Sequence, residues 1–220
     1  MKVLVLNAGS SSQKSCLYEL SGPLTDLPPE PLWQAHIDWT HQAGVVEIHV
    51  QSQTGSLQKQ LPSGSRLQVM GHMLETLWSG ETQVVSHPLE IEAVGHRVVH
   101  GGEQYRESTR ITSEVKAEIE RLSAFAPLHN PASLEGIEAI EQVLPNVPQV
   151  AVFDTAFHSQ LPLAAAVYPG PYEWFTEGIR RYGFHGISHA YCAQRTAAIL
   201  GRDLGSLRLI ICHLGNGCSL

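Results

Sequence analysis

The chain opens Lys2-Val3-Leu4-Val5-Leu6-Asn7-Ala8-Gly9-Ser10-Ser11-Ser12-Gln13-Lys14 and closes Leu207-Arg208-Leu209-Ile210-Ile211-Cys212-His213-Leu214-Gly215-Asn216-Gly217-Cys218-Ser219. Each run is apolar and too short for a helix. Each reads as a buried strand that empties into a turn of Gly, Asn and hydroxyl residues. At the first turn, Gly9 permits a tight bend that would present backbone N–H groups and three serine hydroxyls to one point, with Lys14 close by. That set of donors suits a phosphate group, although an ordinary serine-rich hairpin turn has the same composition. Two such strand-turn units in one chain imply two related halves closing on one nucleotide.

Composition narrows the classes. At 220 residues, with 43% hydrophobic and 16% charged content, the chain can bury a substantial core as one large domain or two small ones. Its net charge of -7, without a basic run, argues against nucleic-acid partners and an anionic membrane surface. No apolar stretch approaches the roughly 20 residues that span a bilayer, and the N-terminus enters a strand directly, without signal-peptide architecture. Cys16, Cys192, Cys212 and Cys218 form no CxxC pair, as expected of free thiols in a reducing cytoplasm. Of the 12 histidines, His185 and His189 stand at a spacing a helix could use, and no Glu lies between them in the HExxH manner.

Along the chain, Ser15–Leu20 alternates and is expected to return as a hairpin partner of the first strand. Trp33–Trp39 and Val45–Val50 are further strands, separated by His41–Gly44. Leu67, Met70, Leu74 and Leu77 recur at helical spacing and predict a helix over Arg66–Trp78. Ile91–His100 is a strand, Ser113–Ala124 a helix, and Asn130 an N-cap before Pro131. Gln149–Phe153 is a strand ending at Asp154. Ser188 is read as the cap of a helix through Leu200, and Leu207–Cys212 as the last strand. Alternation of strands and helices gives a mixed α/β class.

Polar residues stand where these strands end, as α/β folds build their sites. Arg97, flanked by valines, needs an anionic partner, either an internal carboxylate or a carboxylate or phosphoryl ligand. His129 sits at a helix entrance, where capping alone would explain it. Asp154 could equally be a turn aspartate. His185 lies among glycines that let backbone approach a ligand, or is a core histidine bonded to a carbonyl.

The ordered segments NAGSSSxK, GHRVVHGG, PLHNP, FDTAFH, YGFHGxSH and HLGNG resemble the acetate kinase (acetokinase) family, from Met1 to Leu220. The resemblance implies a duplicated actin/hexokinase-like (ribonuclease H-like) α/β fold with a truncated second domain. Residues 1–149 would be the first actin-like domain and 150–220 the beginning of the second. It implies reversible transfer of the ATP γ-phosphoryl group to acetate, giving acetyl phosphate and ADP, with magnesium or manganese. By the same resemblance Asn7 places the metal, and Ser10, Ser12 and Lys14 address the nucleotide phosphates. Arg97 meets the acetate carboxylate and the moving phosphoryl group. Asp154 is the active-site acid, His185 stabilises the transition state, and His129 joins them as a catalytic residue. Val99 and Leu128 resemble the apolar wall around the acetate methyl. His213, Leu214, Gly215, Asn216 and Gly217 form part of the ATP site.

A cytoplasmic homodimer is implied for the full-length protein. Cys218 stands where the family usually has a small residue such as Ala. A usual member continues well past Leu220, so the second arginine, a magnesium-binding glutamate and the adenosine pocket are expected beyond it, and the 220 residues alone are expected to be inactive. The alternatives are a propionate or butyrate kinase, or a non-catalytic phosphate-binding domain.

Overall fold

The structure is a computed structural model and describes residues 1–9, 11–22, 29–215 and 217–220. The chain divides into two compact units: Met1–Val98 with Thr109–Ala151, and Val99–Ser108 with Val152–Leu220.

The first unit is built on one large mixed sheet. In chain order its strands are β1 (Lys2–Ala8), β2 (Ser12–Glu19), β3 (Trp33–Gln42), β4 (Val45–Ser52), β5 (Ser56–Pro62), β6 (Ile91–Val98), β7 (Thr109–Arg110) and β8 (Gln149–Phe153). They lie in the order β5-β4-β3-β2-β1-β6-β8-β7. β1 to β5 form an antiparallel meander, whereas β6 returns parallel to β1. The parallel return requires a crossover, which contains helix α1 (Arg66–Glu75).

One face of the sheet takes Leu4, Leu6, Leu17, Trp33, Ile37 and Ile48 and packs them against Met70, Met73, Leu74 and Leu77. Helix α2 (Ser113–Arg121) and α3 (Asn130–Val143) complete the unit, and α3 adds Ala139 and Ile140 to the same core. The 3.6-residue spacing read in 66–78 therefore marks a core-facing helix, although the helix itself ends at Glu75. β5 has no expectation in the sequence. Its residues SLQKQLP are mostly polar, as befits the outermost strand of a sheet.

In the second unit Phe153, at the end of β8, stacks on Tyr105 with ring centroids 5.0 Å apart. A Cβ on Gly101 would fall 2.7 Å from the Phe153 ring, so that position must be glycine. Short helices α4 (Leu163–Ala166) and α5 (Glu173–Thr176) precede the long α6 (Gly186–Leu200). A small hairpin of β9 (His213–Leu214) and β10 (Cys218–Ser219) follows.

Three local expectations need correction. The strand expected over 207–212 does not form. No described strand lies alongside to complete its backbone bonds, and Ile210 is 89% exposed. Asn130 is not the cap of α3 but its first residue. The N-cap is His129, and the Asn130 amide donates to Ile119 O at 3.2 Å, tying α3 to α2. Likewise α6 begins at Gly186 with His185 as its N-cap, so Ser188 lies inside the first turn.

Candidate active site

In the first unit, strand register assembles the polar residues. The core-facing residues of β1 are Leu4, Leu6 and Ala8. Those of β2 are Gln13, Ser15 and Leu17, and those of β6 are Val94, His96 and Val98. Side chains alternate across a strand, so Asn7, Ser12, Lys14 and Arg97 share the opposite face. Asn7 pairs with Lys14 on one side and with Arg97 on the other, which sets Lys14, Asn7 and Arg97 in one cross-strand row. Arg97 Nη1 donates to Asn7 Oδ1 at 3.0 Å.

Arg97 also presents its backbone carbonyl to the helix side. Ser133 Oγ lies 3.3 Å from Arg97 O and 3.2 Å from His129 O, so one buried hydroxyl bridges the two residues. His129 therefore sits beside Arg97 within this unit, while Leu128 is largely exposed.

The first turn differs from its expected form. Gly9 N–H is not presented outward but donates to Ser12 O at 2.8 Å. A Cβ at Gly9 would approach that same oxygen to 3.1 Å, so the turn requires glycine for closeness and not for a left-handed φ. Ser10 lies outside the described residues. The turn is braced by Arg66, which the sequence reading missed. Its Nη1 donates to Gly9 O at 3.3 Å, its Nε contacts Glu135 at 2.9 Å, and its guanidinium lies 4.1 Å above the Trp39 ring. The only sequence signal for this is a basic residue opening an amphipathic helix.

The second unit gathers the remaining candidates. Asp154 is 1% exposed, and its backbone oxygen accepts the Gly186 N–H at 2.9 Å. A Cβ on Gly186 would overlap that oxygen and crowd Phe157 at 2.9 Å. Thr155, next in sequence, accepts the Gly101 N–H through its hydroxyl at 3.1 Å. Val99 is buried in this unit.

His185 has φ 54°, the one left-handed non-glycine residue described. Such a conformation costs on the order of 1 kcal/mol and is kept where the surroundings impose it. Those surroundings are visible. His185 stacks on His213 with centroids 4.0 Å apart, and its Nδ1 is 2.9 Å from Ser219 Oγ. His213 Nδ1 is in turn 2.9 Å from Ser188 Oγ. Within the hairpin turn Gly215 N–H donates to Gly217 O at 2.9 Å and Leu214 is exposed. Asn216 lies outside the described residues. His189 is 4% exposed with its Nε2 unpaired, and burial, followed by the neighbouring His158 and His213, lowers its pKa.

Two histidine environments are thus distinct. His96, on the core face of β6, bonds Gln149 Oε1 at 2.6 Å, and burial lowers its pKa to about 4. It is a neutral structural donor. The histidines of α6 and the hairpin stand at a glycine-rich turn.

Among the described residues no three His, Cys, Asp or Glu side chains gather as a metal site. Asn7 Oδ1 is nevertheless a hard oxygen donor already oriented toward a cationic partner. A magnesium ion bound mainly through phosphates and waters needs only one or two such protein oxygens.

The family model for the Acetokinase family matches residues 2–220. The chain belongs to the acetokinase family. It is 66% identical to an acetate kinase of Cyanothece sp. over all of this chain and 54% of that protein. It is 67% identical to one of Gloeobacter violaceus, over 55% of that protein. Among solved structures it resembles Porphyromonas gingivalis acetate kinase, with a TM-score of 0.85 and 40% identity over 99% of this chain and 53% of that one. A propionate kinase from Francisella tularensis gives 0.84 and 37%, again over 53% of its chain. The chain spans about half the length of the curated relatives it matches. As an acetokinase, it has the mixed α/β architecture and large sheet of the actin/hexokinase-like class. No described helix is long and apolar enough to cross a membrane.

Proposed function

We propose that this chain carries the acid- and phosphate-binding part of an acetate kinase, which moves the γ-phosphoryl group of ATP to acetate and returns it from acetyl phosphate to ADP. The observation that carries the reading is the row Lys14–Asn7–Arg97 on one face of parallel and antiparallel neighbours, in a chain of this family.

Acetate is already ionised at neutral pH, so its oxygen attacks phosphorus without a strong general base. As the new O–P bond forms, the bond from phosphorus to the β–γ bridging oxygen breaks and ADP leaves. The demands are alignment and neutralisation of charge. Arg97 offers a planar, two-point grip on a carboxylate or phosphoryl oxygen. Its link to Asn7 and the Ser133 bridge to its carbonyl hold the arginine in place.

Ser10, Ser12 and Lys14 address the nucleotide phosphates in this reading. Asn7 would hold a divalent magnesium ion, which supplies positive charge to the phosphate oxygens. Asp154 is assigned an organising role, since its buried backbone oxygen already fixes the start of α6. His129 and His185 complete the catalytic set, Val99 and Leu128 the methyl wall, and 213–217 the ATP turn. Residues 1–149 would form the first actin-like domain and 150–220 open the second. A homodimer and a cytoplasmic location belong to this reading through the family resemblance alone.

The likeness to the Francisella propionate kinase favours one alternative, a kinase for an acid one methylene longer. Such a change is worth only about 1–3 kcal/mol in an apolar pocket. Joining this chain to the remainder of the Cyanothece relative and assaying acetate against propionate by hydroxamate coupling tests both readings. Equal or greater kcat/KM for propionate selects the alternative, and no transfer to either acid rejects the kinase reading.

A further inference from the structure

The N-terminal turn of α6 and the β9–β10 hairpin hold each other by exchanged bonds. The helix end contributes His185 and Ser188, the hairpin His213 and Ser219. Each hydroxyl meets the imidazole of the other element: Ser219 Oγ at 2.9 Å from His185 Nδ1, and Ser188 Oγ at 2.9 Å from His213 Nδ1. The two rings stack nearly parallel, at 11° and 4.0 Å between centroids. His213 and Ser219 are cross-strand partners, and Gly215 and Gly217 turn the chain between them. Residues 185 and 188 are three apart at a helix start, which puts both on one side of it.

Stacking alone does not orient an imidazole. The torsion about Cβ–Cγ is broad and nearly two-fold, so a stacked ring can turn over and exchange Nδ1 for carbon without leaving its partner. A hydrogen bond between Nδ1 and a hydroxyl removes that freedom, because the turned-over ring would present carbon to the oxygen. Two such bonds, crossed between elements, fix both rings and anchor the glycine turn at once.

We propose that Ser188 and Ser219 are positioning residues that hold His213 and His185 in a single ring orientation, so that both imidazoles meet one phosphoryl oxyanion. This rests on the kinase reading for the identity of the anion, but the ring geometry stands independently of it.

The test has two arms. In the 15N-labelled chain, long-range ring correlations are recorded for the parent, for Ser188→Ala and Ser219→Ala, and for threonine at each position. Ser219→Ala is expected to shift Nδ1 of His185 and Ser188→Ala that of His213, with threonine restoring each. Addition of inorganic phosphate should move the ring signals of the parent and threonine forms and leave the alanine forms little changed. Ring signals indifferent to the alanine substitutions, or a phosphate response identical in all forms, overturn the proposal. In the second arm the chain is joined to the remainder of the Cyanothece relative. Each alanine is expected to lower kcat about 10- to 100-fold with KM for acetate unchanged, and threonine to restore it. Lost ring signals with an unchanged kcat also overturn the proposal. An inactive parent fusion defeats the kinase reading alone, and the phosphate response then decides the proposal.

Discussion

Arg97 reaches across from β6 to donate to the side-chain oxygen of Asn7 on β1, at 3.0 Å, between two residues 90 apart in sequence. The contact converts strand register into site geometry. A one-residue slip of β6 would carry Arg97 to the core face, beside Leu4 and Leu6 of β1. The hydrophobic alternation of both strands therefore holds the arginine on the ligand face.

Arg97→Ala, in the fusion with the remainder of the Cyanothece relative, should lose roughly 3–4 kcal/mol of transition-state stabilisation, read as a fall of about 10² to 10³ in kcat/KM. Arg97→Lys should recover charge but neither the planar grip nor the Asn7 bond geometry, so most of the loss should remain. A lysine form with near-normal turnover would show that charge alone suffices.

Two glycine-to-alanine changes should move stability in opposite directions. Gly186→Ala places a Cβ on the Asp154 carbonyl oxygen, which is backbone and cannot swing aside. We expect a loss of about 3 kcal/mol or more in urea unfolding, or failure to fold. Gly71, inside α1, has open space around its Cβ position, so Gly71→Ala should stabilise by about 0.5–1 kcal/mol. Equal and small effects at both sites would contradict the packing described.

Stability should fall as pH drops through the ordinary histidine range because of His96. Its native pKa is lowered to about 4 from the model-compound 6.5, so the unfolded chain binds the extra proton first. The contribution is intact above about pH 6.5, declines as pH falls, and levels off below about pH 4 after a total loss of about 3 kcal/mol. His96→Gln keeps a donor toward Gln149 but cannot titrate, and it should remove that part of the slope in denaturant titrations between pH 7 and 5. A slope unchanged by the substitution would place the linkage elsewhere.

Much of the first unit was legible because its code is local. β1, β2, β3 and β4 alternate with period two, and 66–75 repeats with period near 3.6, so burial of one face dictates each element. β5 was not legible, because an edge strand of Ser, Gln and Lys has little apolar signal. The run 207–212 misled for the opposite reason. Its apolar residues satisfy a strand pattern, but a strand exists only beside a partner. At the site, single residues such as Arg97 and His185 stood out by chemistry at element ends. Their supports did not. Ser133, Arg66 and Ser219 act through contacts 36, 57 and 34 residues away in sequence, and no local pattern encodes such distances.

Acetyl phosphate formation is the most direct test of the central claim. The chain joined to the remainder of the Cyanothece relative, supplied with acetate, ATP and magnesium, should form hydroxamate-trappable acetyl phosphate, and the Arg97→Ala form should form at least about 100-fold less. A folded fusion that makes none, or one whose rate is indifferent to Arg97, would contradict it.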